Sequence, residues 1–373
     1  MLVINNNDVM TLLDMADCIK VQEASFLGID DGSSVHRPRI DMYVPCERED
    51  GYWRWGTMEG ATSVPGPYFA IRMKSDVITW SSDELSGLER EDKYCVNPGT
   101  YCGLIMVFST RNGEPLAFIN DGHLQHMRVG GGAGLGAKYL ARKDADKVGI
   151  IGSGGMARTY LDAFCKVRDI KEVKVYSPNP DNRKLYAKEM KKLHGISVIA
   201  VDSPEAAVDG VDILATCTSS MVPTVKKEWL MPGMHIVNLS PFELTEDIFE
   251  KADIVIRQGV AGAVAGNGDD DPRIKSGIGN SPLAYIAGSE SEMQRLPAEQ
   301  HQTLFRRDFP DFNDLAHGRI SGRTNDEQIT AYINAGNQGL QFAAVSGLVY
   351  EAALARQLGK QLPTEWFLQD IRD

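Results

Sequence analysis

The sequence predicts an α/β protein in which a Rossmann dinucleotide-binding domain is joined to an α+β domain with a mainly antiparallel sheet. Three observations carry this: a glycine turn at Gly152–Ala157 between an apolar run and a helical segment, alternating strand and helix patterns from Lys147 onward, and a cluster of short β-like runs before it. The 373 residues suit two or so domains, and 43% hydrophobic against 24% charged residues supports full cores rather than disorder. A net charge of −12 disfavours a general nucleic-acid binder, which needs a basic face. The six cysteines, Cys18, Cys46, Cys95, Cys102, Cys165 and Cys217, have no CxxC pair and no histidine at ligand spacing, so free thiols and no metal are expected. The N-terminus lacks the basic flank and apolar run of a signal peptide, and the most apolar stretch, Gly103–Phe108, is too short to span a membrane. A soluble cytoplasmic protein is the expectation.

Taken in order, Asn7 and Asp8 precede Val9, Leu12, Leu13, Ala16 and Ile19, the spacing of one face of a capped helix running to about Phe26. From Arg39 to Phe108 the runs IDMYV, YWRW, YFAIRM and LIMVFS alternate with Gly, Pro and acidic loops, as in an antiparallel sheet. The polar stretch Ser75–Tyr101 reads as a solvated loop rather than a lid. Then VGIIG, a helix through Phe164, VKVYS, a helix from Asp181, ISVIA, VDILATC and HIVNLS form a parallel βα series. Beyond Ile256 lie two irregular stretches, and Gln328–Leu358 reads as one long apolar helix.

Gly152-Ser153-Gly154-Gly155-Met156-Ala157 satisfies G-x-G-x-x-A in the strand–turn–helix context the motif requires. Gly152 allows the sharp turn, Gly154 the approach of backbone to a pyrophosphate, and Ala157 close helix–strand packing, with the helix N-terminus facing the anion. Where an NAD enzyme usually carries Asp or Glu after the second strand, this chain has Ser177, Asn179, Asn182 and Arg183. Arg183 suits a 2′-phosphate, so NADP(H) is favoured, with NAD(H) possible. Thr218 and Ser219 end the fourth strand at the carboxyl edge, where such sheets bind ligands.

Several segments together resemble the ornithine cyclodeaminase/mu-crystallin family, over nearly the whole chain. Arg128-Val129-Gly130-Gly131 followed by Ala137-Lys138-Tyr139-Leu140-Ala141 resembles the family's Arg-Thr-Ala-Ala helix and Tyr-Leu-Ala end, with only the arginine of the first motif intact. Pro38-Arg39, Thr218-Ser219-Ser220 with Pro223, and Gly322-Arg323…Asp326-Glu327-Gln328-Ile329-Thr330…Gly336 resemble three further family segments. The resemblance implies a homodimer paired through the N-terminal sheet, with residues 1–127 and 326–373 as the substrate-binding and dimerisation domain and 128–325 as the Rossmann NAD(P)-binding domain. It also implies chemistry at a C–N bond next to a carboxylate: loss of ammonia with ring closure in some members, reduction of imines with NAD(P)H in others, and ligand binding in mu-crystallin.

Reducing an imino acid needs a carboxylate clamp and a proton donor. By family match, Arg39 and Arg128 are the clamp candidates, and an arginine fork binds carboxylate in two places. The family lysine falls within Phe69–Ser75: Arg72 lies closest to its place, while Lys74 is two residues on and so on the same strand face. Both are carried, Lys74 ahead as the acid, since an arginine does not readily release a proton. The loop that holds an aspartate in true cyclodeaminases is here Ser240-Pro241-Phe242, before Glu243-Leu244, and has none. The expected activity is therefore NAD(P)H-dependent reduction of a ketimine or imino acid beside a carboxylate, or the reverse amino-acid oxidation. A cyclodeaminase-like ammonia lyase using bound NAD and an NADP(H)-dependent binding protein without turnover are the alternatives. His123 and His126 are expected to be solvated or capping, Trp53 and Trp55 to pack in a core as readily as to line a pocket with Trp80, and Asp269–Asp271 to be a solvated loop.

Overall fold

The computed structural model describes residues 1–82, 89–259, 273–275, 283–296 and 309–371. The chain opens with β1 (Leu2–Ile4) and two helices, α1 (Asn6–Leu12) and α2 (Met15–Leu27), where one was expected. Asn5 and Asp8 form a capping box on α1, and Asp14 then caps α2 through Ala16 N–H, so the second cap splits the periodic run. There follow β2 (Ser34–His36), β3 (Ile40–Pro45), β4 (Gly51–Thr62), β5 (Tyr68–Ser82), β6 (Glu89–Tyr94), β7 (Cys102–Ser109) and β8 (Pro115–Asn120). Pairings β3–β4–β5–β7–β8 and β5–β6 are antiparallel. The polar stretch after Ser75 is thus largely strand, because β5 runs on to Ser82 and pairs with β6. Asp76 and Glu91 of this pair are turned inward to Arg54 rather than into solvent, which is why polarity misdirected the loop expectation.

Helix α3 (Gly122–Leu140) leads to β9 (Lys147–Ile151), α4 (Gly155–Val167), β10 (Glu172–Tyr176), α5 (Pro180–His194), β11 (Ser197–Ala200), α6 (Pro204–Val208), β12 (Ile213–Thr216), β13 (His235–Asn238), α7 (Glu246–Lys251) and β14 (Ile254–Arg257). The parallel sheet runs β11-β10-β9-β12-β13, as the alternation predicted. Strands β15 (Ile274–Lys275) and β16 (Leu283–Ile286) return to the antiparallel sheet, β16 lying beside β3. The run expected as one helix is β17 (Thr330–Ile333) followed by the C-terminal helix Gln338–Arg356. The TAYI segment is buried on both faces, so its apolar run fits a central strand, and β17 sits between β13 and β14. Sheet membership therefore crosses the expected ranges: β15 and β16 join the first sheet, β17 joins the second, and residue 128 lies inside α3. None of the described helices is long and apolar enough to cross a membrane.

The C-terminal helix rests on β4 with backbone against backbone: a Cβ on Gly60 would meet the carbonyl carbon of Gly339 at 2.5 Å. Strand alternation gives the antiparallel sheet two unlike faces. On the outer one Met42 pairs with Trp55, Val44 with Trp53 and Met73 with Leu104; Met42, Val44 and Leu104 are exposed, and the two tryptophans stack 6.3 Å apart. Trp53 and Trp55 thus belong to neither a core nor a pocket. Trp80 packs instead against the small cluster of Tyr43, Tyr52 and Ile78.

Helix α3 lies between the sheets and is thin by composition. Gly130 touches the α4 backbone, where a Cβ would come 2.6 Å from Thr159 O, and Gly136 abuts the Tyr332 ring at 2.5 Å on the same test. Alanine at position 130 improves helix propensity by about 1 kcal/mol but forces α3 and α4 apart, a cost of about 1–3 kcal/mol that matches or exceeds the gain. Gly130→Ala is expected to lower the urea midpoint; a raised midpoint would show that the helices part without penalty.

Candidate active site

The inner face of the antiparallel sheet carries ions where a core would carry leucines. Arg72, Lys74 and Asp76 alternate along β5 and so share this face; Gly56 on β4 and Gly103 on β7 stand directly opposite Lys74 on its two sides. The space those glycines leave is filled by carboxylates, Asp41 over Gly56 and Asp121 over Gly103, so a side chain at either position would collide with one. Each cation but one has an acidic partner. Arg39 is held by Asp41 through Nε and Nη2 at 2.8 and 2.6 Å. Arg72 Nη2 lies 2.6 Å from Asp121 Oδ2, and Lys74 Nζ lies 2.6 Å from Asp76 Oδ2, which also accepts from Arg54 at 2.7 Å. From β6, Glu91 reaches Arg54 and Lys93, at 3.7 and 3.4 Å.

Arg128 is the exception. Its Nη1 donates to Gln341 Oε1 at 2.8 Å, Nε and Nη2 donate to Gln125, and its plane lies 4.9 Å from the Phe342 ring centre. Its partners are amides and an aromatic face, and no carboxylate pairs with it among the described residues. Burial first, and then the nearby Arg72, pull the guanidinium down to about 9. An anion arriving here offsets both effects. Gln341 is fixed in turn by Gln22 Oε1, at 2.7 Å, and by the Arg128 carbonyl, at 2.9 Å.

The surroundings of Lys74 disfavour its charged form. Burial, then Arg54 and Lys93, push its ammonium well below the ordinary lysine range, with Asp76 opposing them. Asp76 stays ionised: burial raises it, but Lys74 and Arg54 outweigh that and hold it below the ordinary aspartate value. Arg72 is locked to Asp121.

The carboxyl ends of the parallel strands come to the helix that carries Arg128. Asn334, just after β17, donates to Val129 O on α3 and to the Tyr160 hydroxyl, which itself donates to Asn238 O at the end of β13. The glycine turn has the shape a dinucleotide needs. Gly152 is at φ +112°, a conformation that glycine tolerates and that brings its Cα against Cys217. Around Gly154 nothing lies within 4 Å of a Cβ position, and no side chain caps α4, so its first N–H groups await an acceptor. Ser153 Oγ donates to Ser177 Oγ at 2.9 Å, and Asn179 caps α5. Arg183 stacks over Tyr176, donates to Ser177 O at 3.0 Å and pairs with the fully exposed Asp202 at 2.6 Å. At the end of β12 Ser219 is exposed, whereas Thr218 is turned to Glu243.

Glu243 is the polar hub the sequence did not disclose. It accepts from Thr216 Oγ1, from Thr218 N and Oγ1, and from Leu239 N and Ser240 N, all within 2.9 Å. Burial raises its carboxyl, against those hydrogen bonds. It occupies the loop where an aspartate was looked for, but both its oxygens are consumed in tying β12 to β13. Arg54, Asp41, Asp76, Glu91, Asp121 and Gln341 were also missed; only Asp76, two residues beyond Lys74, carried a legible signal. His123 N–H is capped by Asn6 Oδ1 at 2.7 Å, while His126 turns to Gly155. The Asp269–Asp271 run lies outside the described residues.

A Rossmann sheet joined through α3 to a buried, charge-lined antiparallel sheet defines the class, an α/β protein with a dinucleotide-binding fold. The chain belongs to the ornithine cyclodeaminase/mu-crystallin family, which it matches over residues 89–357. It is 30% identical to the alanine dehydrogenase of Archaeoglobus fulgidus over 288 residues, 74% of this chain and 80% of that one. It is 27% identical to a Delta(1)-pyrroline-2-carboxylate reductase of Bacillus cereus over 268 residues, 70% and 74% of the two chains. The structure of Thermococcus litoralis Delta(1)-pyrroline-2-carboxylate reductase in complex with NADH and L-proline is similar at a TM-score of 0.73 and 26% identity, covering 97% of this chain and all of that one (100%).

Replacing Glu243 by alanine strands buried N–H and hydroxyl donors and is expected to cost about 3 kcal/mol or more. Urea unfolding of Glu243→Ala checks this; stability within about 0.5 kcal/mol of the parent would deny the hub its role.

Proposed function

We propose that the protein is an NAD(P)H-dependent oxidoreductase that reduces a C=N bond next to a carboxylate, or oxidises the corresponding amino acid. The observation that carries this is Arg128: a buried guanidinium on α3 whose hydrogen-bond partners are neutral, next to Arg72 on the face that also holds Lys74 and beside the carboxyl ends of the parallel strands. The substrate carboxylate pairs with Arg128, which fixes the neighbouring carbon and nitrogen. Arg39 and Arg72, already paired, shape the positive field around it and hold Asp41 and Asp121 in place. Lys74 gives a proton to the substrate nitrogen in reduction and takes one back in oxidation. A bound nicotinamide supplies or accepts the hydride at the carbon. Gly152–Ala157, Ser177, Asn179 and Ser219 hold the dinucleotide, whereas Thr218 supports it through Glu243. The lyase reading is the weaker, because the loop lacks the aspartate and Glu243 has no oxygen to spare.

Between the two dinucleotides the proposal favours NADP(H). No carboxylate stands at the end of β10, and Arg183 is held on Tyr176 with a solvent-exposed partner, Asp202, that a 2′-phosphate can replace. The protein is proposed to be a homodimer joined through the outer sheet face, where Met42, Val44, Trp53, Trp55 and Leu104 make an apolar patch on the side of the sheet opposite the site.

The assay is nicotinamide absorbance with NADPH and then NADH, against cyclic ketimines and 2-oxo acids with ammonia, while ammonia release from ornithine is followed in parallel. Imine-dependent oxidation of the cofactor is expected; tight cofactor binding without turnover would instead mark a binding protein. Arg128→Ala is expected to raise the substrate KM roughly 100-fold with little change in cofactor affinity. Reduction needs protonated Lys74, so its rate falls as pH rises through the depressed Lys74 value, while oxidation rises over the same range. Lys74→Arg, which cannot release the proton, should abolish the oxidation limb; identical pH profiles in the two directions would remove Lys74 from the chemistry. Trp55→Glu is expected to give monomers by light scattering, and an intact dimer would place the interface elsewhere.

A further inference from the structure

His126 has no part in the chemistry above, yet it stands where the two halves of the site meet. It lies in the first turns of α3, and its imidazole fills the space beside Gly155, the first residue of α4. A Cβ on Gly155 would come 2.6 Å from its Cε1, 2.9 Å from Nε2 and 3.1 Å from Nδ1. A larger residue at position 155 would have to displace this ring, while the adjoining Gly154 is open. The dinucleotide turn thus has backbone on one side and a part-exposed imidazole on the other.

The charged groups facing the ring come from several elements. On α3 they are Asp121, His123 and Arg128, on α4 Arg158, and Asp121 is already spent on Arg72 of β5. Burial, then Arg128 and Arg158, hold the ring below the usual histidine range, with Asp121 opposing them. In the free protein it is neutral near pH 7.

We propose that His126 is a ligand of the cofactor pyrophosphate and takes up a proton when the dinucleotide binds. This rests on the dinucleotide reading above and adds a residue to it. A doubly anionic pyrophosphate at the N-terminus of α4 sets an opposite charge beside a ring that otherwise faces two arginines, so the charged imidazole becomes the favoured form. Linkage then fixes the sign: affinity falls as pH rises through the raised value of the bound form, and levels off below the depressed value of the free form.

Calorimetric titration of the whole protein with NADPH, and separately NADH, in PIPES, HEPES and Tris at one pH near neutrality measures the protons exchanged. The wild type is expected to take up a substantial fraction of one proton, and affinity to weaken toward pH 9. His126→Asn and His126→Gln are expected to lose that uptake, to bind roughly tenfold more weakly at pH 6.5, and to show a flat pH dependence. The two amides differ in length, so a folding defect in one, seen in thermal unfolding, leaves the other to report. Uptake unchanged in a folded variant overturns the role of His126 and leaves the dinucleotide reading standing. A wild type that binds neither cofactor overturns both.

Discussion

The molecule depends on a helix that must be narrow on every side. Helix α3 is packed by α2, α4, the C-terminal helix and the ends of the parallel strands, and most of its residues are buried. Gly131 admits Gln22, Gly132 admits Gln258 and Asn334, and Gly134 admits Ile19 and Ala163. Each glycine costs about 1 kcal/mol in helix propensity, a loss that only dense packing offsets. That packing fixes where the helix begins, and its first turns carry Asp121, Gln125, His126 and Arg128. The substrate face and the dinucleotide turn are thereby registered to each other through one rigid element.

A second constraint is electrostatic. Isolated charges are too costly to bury, so the inner sheet face alternates acids and bases until nearly all are paired. Two apolar regions enclose it, with Ala70 and Met58 at one end and Tyr43, Tyr52 and Ile78 at the other. The enclosure strengthens every charge interaction inside. It also makes Arg128, which has no acid paired with it among the described residues, the natural seat for an anion.

How much of this was legible follows from the kind of signal each part leaves. The parallel βα series left period and turn signals in the sequence, from VGIIG to HIVNLS, and the structure has every one of those elements. The family motifs pointed to Arg39, Arg72, Lys74 and Arg128; Arg72 and Arg128 prove to be buried, and Arg39 and Lys74 nearly so, with side chains 12% and 11% exposed. What stayed hidden was tertiary. The TAYI strand and the helix after it share an apolar texture, so only the sheet could separate them. The strand pair after Ser75 looks polar because its charges are matched by Arg54 on β4, a partner no local pattern reveals. Glu243 gathers its donors from two strand ends, and His126 owes its place to a glycine that lies in the next helix but is remote from it in sequence.

The position of β17 has a consequence for how the chain is made. It lies between β13 and β14 and is parallel to both, so the nucleotide sheet lacks an internal strand until residues near the C-terminus have left the ribosome. The N-terminal amine, bonded to Leu362 O at 3.1 Å and to Thr364 at 2.8 Å, likewise waits for the tail. Neither half can be finished first and handed over complete. A late closure follows, in which residues 330–364 complete one sheet, lay their helix on the other and meet Met1.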